Sequence, residues 1–160
     1  MRKLPYREGT WFAVPLTGAG FGVGVVARTG AKGKTILGYF FGPRRASVPT
    51  LANVKDLKPI NAVLRIRVGD LGLIRGEWPI IGQSEPWQRS EWPMPDFIRR
   101  EPPGCGRAWR VYYSETNLNE VVAEEPVSPQ TPGQRDSLFG SGAAEVMLKK
   151  VLSESRGDSS

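Results

Sequence analysis

Few residues in this chain could do chemistry, and each sits in a pattern that argues against catalysis. Histidine is absent, which excludes Ser-His-Asp triads, Cys-His dyads and His-ligated metal sites. Cys105 is the one cysteine, so neither an intrachain disulfide nor a thiolate metal cluster is available. Flanked by Gly104 and Gly106, it lacks the base that activates a nucleophilic thiolate and reads as an ordinary loop thiol. Gly33-Lys34-Thr35 ends like a phosphate-binding loop, but Arg28 stands where the first glycine belongs. The segment after it reads as strand, whereas the motif needs a helix N-terminus. Gly22-Val23-Gly24-Val25-Val26-Ala27 fits a dinucleotide pattern loosely, without the flanking strand and helix or an acidic residue about twenty positions on. Glu124 and Glu125 lie in a polar run with nothing to fix their separation or raise one pKa, so paired-carboxylate catalysis has no frame. Arg156-Gly157-Asp158 reads as a chance tripeptide. No enzymatic activity, metal or cofactor is expected.

The elements that must position any surface are mostly strands. Thr10 to Val14, Phe21 to Ala27 and Thr35 to Phe41 are rich in β-branched and aromatic residues and separated by Gly-rich turns, which predicts a meander. Glycines on one side of the second strand imply close approach there. Asn61 to Val68 alternates, with Leu64, Ile66 and Val68 on one face and Arg65 and Arg67 on the other, the pattern of a half-buried strand. Leu71 to Ile74, Trp78 to Gly82 and Trp109 to Tyr113 read as further strands. Pro126, Pro129, Pro132 and Gly133 mark a linker. Ala143 to Leu152 is the one convincing helix, with Ala143, Met147 and Val151 in one row and Ala144, Leu148 and Leu152 in the next.

Glycine and proline number 19 and 14 of 160 residues, about a fifth of the chain against about 12% in average usage. That favours short elements and many turns. At 39% hydrophobic and 24% charged, one domain with a real core is feasible. The expected architecture is mainly β: a small antiparallel barrel or strongly bent sheet over residues 5–120. A Pro/Gly linker over 121–142 and a short amphipathic helix with a disordered tail over 143–160 follow. No stretch approaches the roughly 18 apolar residues of a membrane span. Met1-Arg2-Lys3 runs into Pro5-Tyr6-Arg7-Glu8-Gly9, where a signal peptide would place its apolar region. A cytoplasmic location and no membrane partner are therefore expected.

Charge is distributed unevenly. The net charge is +6, but ten cations face two anions in residues 1–60, while nine anions outnumber six cations in residues 101–160. Arg28, Lys34, Arg44 and Arg45 lie in or beside turns expected to share one end of the barrel, and Arg65 and Arg67 add to a basic face. Such a face suits an acidic protein surface; the alternative is a small basic β-barrel that binds nucleic acid. Trp87 and Trp92, in a polar context outside any periodic element, either cover the barrel's open end or form an exposed pair for a partner.

Three patches occur in order. They are Gly9-Thr10-Trp11-Phe12-Ala13-Val14-Pro15-Leu16 with the Gly38-Tyr39-Phe40-Phe41 strand, Leu71 through Trp78-Pro79-Ile80-Ile81-Gly82, and Trp92-Pro93-Met94-Pro95-Asp96-Phe97-Ile98-Arg99-Arg100. Together, over about Gly9 to Leu118, they resemble the immunity protein 26 family. The resemblance implies a mostly β immunity protein of bacterial polymorphic toxin systems, which neutralises a cognate toxin by binding it. It carries over no catalytic residues. Arg28, Lys34, Arg44, Arg45, Arg65, Arg67, Trp87 and Trp92 are the expected partner-binding residues.

Overall fold

The computed structural model describes residues 4–30, 33–101 and 106–157. Cys105 lies outside them. The meander forms as the sequence predicts: β1 (Thr10–Pro15), β2 (Phe21–Thr29) and β3 (Thr35–Arg45) pair antiparallel in succession, and β4 (Leu64–Gly69) pairs with β3. β5 (Ile80–Gln83) returns to the free edge of β1, and the two-residue β9 (Leu138–Phe139) lies parallel to β4. The main sheet is therefore mixed, six strands in the order β5-β1-β2-β3-β4-β9. A second sheet of β6 (Phe97–Arg100), β7 (Ala108–Tyr113) and β8 (Val121–Val127) is antiparallel. Leu71 to Ile74, expected as strand, is one helical turn; Leu51 to Val54 is another. The short helices are α1 (Leu51–Val54) and α2 (Leu71–Ile74), and α3 (Ser141–Gly157) is the C-terminal helix.

Neither sheet closes into a barrel or curls strongly, which corrects the expected architecture. The edges of the main sheet, β5 and β9, do not pair with one another. Closure is unnecessary because each face is covered by another layer. On one face Phe12, Phe40, Ile66 and Val68 pack with Trp78 and with Ala144, Leu148 and Leu152 of α3. Phe12 and Trp78 stack there at 5.3 Å and 11°. On the other face Trp11, Val25, Leu37, Tyr39 and Phe41 pack under Trp92, Phe97 and Leu118, so the segment between β5 and β8, with β6 and β7 in it, forms a second layer. Consecutive buried residues such as Tyr39-Phe40-Phe41 serve opposite faces, as in a sheet covered on both sides.

The strand glycines make room for these layers. A Cβ at Gly22 would lie 2.5 Å from Leu148 Cδ2, and one at Gly42 would lie 2.5 Å from Leu152 Cδ2. The helix therefore sits closer to β2 and β3 than any side chain at those positions would allow. Trp78 Nε1 donates to Glu145 Oε2 at 2.8 Å and ties α3 to the turn after α2. The segment read as a linker carries β8 and β9 instead. Every residue of β8 but the last is exposed, so no alternation marks it in the sequence.

Candidate partner-binding surface

The eight residues expected to meet a partner divide sharply. Arg28 and Arg67 are only 2% and 6% exposed. A register shift between Val26 and Arg28 turns Arg28 toward the second layer. There its guanidinium donates to the Ala27 carbonyl at 2.8 Å and to Glu115 Oε1 at 2.9 Å. Arg67 donates to the Leu118 carbonyl at 3.1 Å and to the Tyr113 hydroxyl at 2.9 Å, and pairs with Asp136 at 3.4 Å. Its guanidinium also lies 3.9 Å from the centre of the Tyr113 ring. Both arginines fasten the segment around residues 113–119 to the main sheet. Their charge is consumed inside the molecule.

The tryptophans fill the same layer. Trp92 is 5% exposed, meeting Tyr39 edge-on at 5.1 Å and Trp11 at 6.1 Å. Trp87, half-buried, stacks on Trp92 at 5.0 Å. The pair closes the second core and leaves little of Trp92 for a partner. Trp109, on β7, is only partly buried, with the Arg99 guanidinium 5.3 Å from its ring.

The remaining cations stand apart. Lys34 immediately precedes β3, with its backbone N–H donating to Asp70 Oδ2 at 2.9 Å, while Arg44 and Arg45 close that strand. Lys34 and Arg44 are ten positions apart along extended chain, about 30 Å at the usual rise. These residues therefore do not share one end of the molecule. No helix follows Gly33-Lys34-Thr35, which enters β3 directly.

Arg65 differs from the other cations in its setting. It is exposed, faces the second layer beside Tyr39 across the β3–β4 register, and forms no ion pair among the described residues. It lines a cleft of about 460 Å³ between residues 62–65, 93–96 and 132–134. Tyr39 donates its hydroxyl to the Pro93 carbonyl at the base of this layer. Asp96, the acidic residue of the cleft, lies 3.8 Å from Arg110 across the small sheet. Val63 in the cleft wall is 37% exposed, and Ile60, in the turn just before it, is 91% exposed. Sequence reasoning passed over Ile60, Val63, Met94 and Asp96. The available signal was two prolines, Pro93 and Pro95, around Met94 and Asp96, which keep that segment out of any regular element.

Groups with displaced pKa values all have structural explanations. Burial pushes Tyr39 upward, and burial followed by the hydrogen bond to Asp136 pushes Tyr113 up to about 12. The hydrogen bond from Arg28 holds Glu115 below the usual carboxylate range, and that from Arg99 does the same for Glu124. The Tyr112 hydroxyl, then Arg110, lowers Glu125. None of these forms an acid–base pair poised in the cleft. Among the described residues, no group of three acidic or cysteine side chains is arranged to hold a metal ion. No described helix is long and apolar enough to cross a membrane.

A family model described as Immunity protein 26 matches residues 7–109, most of the chain, covering β1 to β6 and the first two residues of β7. The chain belongs to the immunity protein 26 family. It is a non-catalytic immunity protein, whose role is to bind and neutralise a toxin. No curated protein and no solved structure matches the chain. The matched span contains Arg65 and the 93–96 wall of the cleft, whereas the 132–134 wall and α3 lie outside it.

Proposed function

We propose that this immunity protein neutralises the cognate toxin of a bacterial polymorphic system by rigid-body occlusion, one immunity protein per toxin, in the cytoplasm of the producing cell. The observation that supports this most is that both faces of the main sheet are filled by the chain's own side chains. A partner therefore meets a preformed surface and little ordering cost opposes binding. The exposed cations Lys34 and Arg65, with half-buried Arg44 and Arg45, speed encounter with an acidic toxin surface. A nucleic-acid partner has less support, because its path needs adjoining cations interleaved with aromatics. Here Arg28 and Arg67 are held in internal ion pairs. The test is a titration of toxin activity with the purified protein. Occlusion gives a sharp end-point at equimolar protein and an association rate that falls as salt rises. Full inhibition far below equimolar protein would contradict it.

A further inference from the structure

We infer that the cleft at Arg65 is the centre of the toxin interface, and that it receives a toxin segment carrying a carboxylate beside apolar side chains. The inference rests on the occlusion reading and adds to it the place and the chemistry of contact. Three observations meet there. Arg65 has no ion-pair partner among the described residues, its neighbour across the strands being the neutral Tyr39, whereas the cleft's own carboxylate, Asp96, has Arg110 within 3.8 Å. The cleft's uncommitted charge is therefore positive and complementary to an acid. Arginine also offers a planar fork that fits a carboxylate bidentately.

The surroundings supply what an isolated surface arginine lacks. Val63 in the cleft wall is partly exposed, and Ile60, three residues before it in the chain, is almost wholly exposed. Exposed apolar side chains near a cleft are a mark of protein contact, and a cleft arginine is desolvated once the partner seats. The walls are stiff. Pro93, Pro95 and Pro132 restrict two of them, and the third is the start of β4. Arg65 itself is mounted on that strand next to Tyr39, whose hydroxyl binds the opposite wall. Lys34, Arg44 and Arg45 have no such setting. Lys34 lies at the far end of β3, and Arg44 and Arg45 line a shallow depression with Gly18 and Gly20.

The experiment measures affinity for the toxin encoded beside this protein, made catalytically inactive, against four full-length variants. Arg65→Glu is expected to weaken binding by about 100-fold or more, chiefly through faster dissociation, and Ile60→Asp by about tenfold or more. Arg65→Lys, which keeps the charge and loses the fork, falls between wild type and Arg65→Glu. Lys150→Glu, the same charge change on exposed α3 across the main sheet, is expected to stay within about twofold. Both Arg65 and Ile60 are exposed, so melting temperatures should match wild type. Wild-type affinity in both Arg65→Glu and Ile60→Asp, with the toxin still held and inhibited, would overturn the cleft and leave occlusion standing. Failure of the wild-type protein to bind the toxin at all would overturn occlusion and the cleft with it.

Discussion

The docking of α3 on the main sheet predicts an energetic coupling between two residues 126 positions apart. Leu148 is fully buried, and truncating it to alanine should cost about 3 kcal/mol from lost burial and the cavity left behind. Gly22→Ala places a Cβ 2.5 Å from Leu148 Cδ2 and 3.3 Å from its Cγ. That overpacking should cost about 2 kcal/mol after the small gain from a less flexible unfolded chain. Independent effects would sum to about 5 kcal/mol. Because the new methyl group enters the space Leu148 vacates, the double variant should instead lose about 3 kcal/mol, a coupling of about 2 kcal/mol. Urea denaturation followed by tryptophan fluorescence measures all four corners, since buried Trp78 bonds Glu145 on the same helix. Additivity within about 0.5 kcal/mol would refute the docking, as expected for sites that do not touch.

Arg67→Ala should destabilise the protein by about 3–5 kcal/mol, because it leaves Asp136 without its buried cation. Arg67→Met, which refills the space over Tyr113, should lose less, and toxin affinity of the folded variants should be unchanged. A loss of affinity at wild-type stability would instead place Arg67 in the interface. Stability should also fall at alkaline pH. Tyr113 is raised from 10 to about 12 by burial and then by its bond to Asp136, and Tyr6 is raised by burial and then by Asp70. A raised folded-state value contributes fully below the unfolded value near 10 and is lost as pH climbs through the folded value. Urea midpoints should therefore decline between about pH 10 and 12, less steeply in Tyr113→Phe; a midpoint unchanged to pH 12 would contradict this.

The first three strands were legible because their β-branched and aromatic runs are bounded by Gly-rich turns, and the fourth because Leu64, Ile66 and Val68 alternate with arginines. The helix was legible because its Ala144, Leu148 and Leu152 row repeats every four residues, and that row is the buried one. The roles of Arg28 and Arg67 were not. Alternation on β4 placed Arg67 on a face taken to be wet, while the second layer that covers it comes from segments with no periodicity. The one local hint lay in runs such as Val25-Val26-Ala27 and Tyr39-Phe40-Phe41, apolar on both parities, which a sheet with one wet face does not need. β8 was hidden for the opposite reason, since a strand exposed on both faces writes no pattern at all. The cleft was illegible because its walls come from three segments brought together only by the pairing of β3 with β4 and by the second layer. Of its residues, only Arg65 was singled out, and for its charge rather than its setting.

The most direct test of the account is amide hydrogen exchange of the protein alone and bound to the inactive toxin encoded beside it. Binding at the cleft predicts new protection at residues 60–66, 94–98 and 133–135, with α3 and the Lys34 end of β3 unchanged. Protection confined to α3, β8 or the turn around Arg44 and Arg45, with the cleft exchanging as in the free protein, would contradict it.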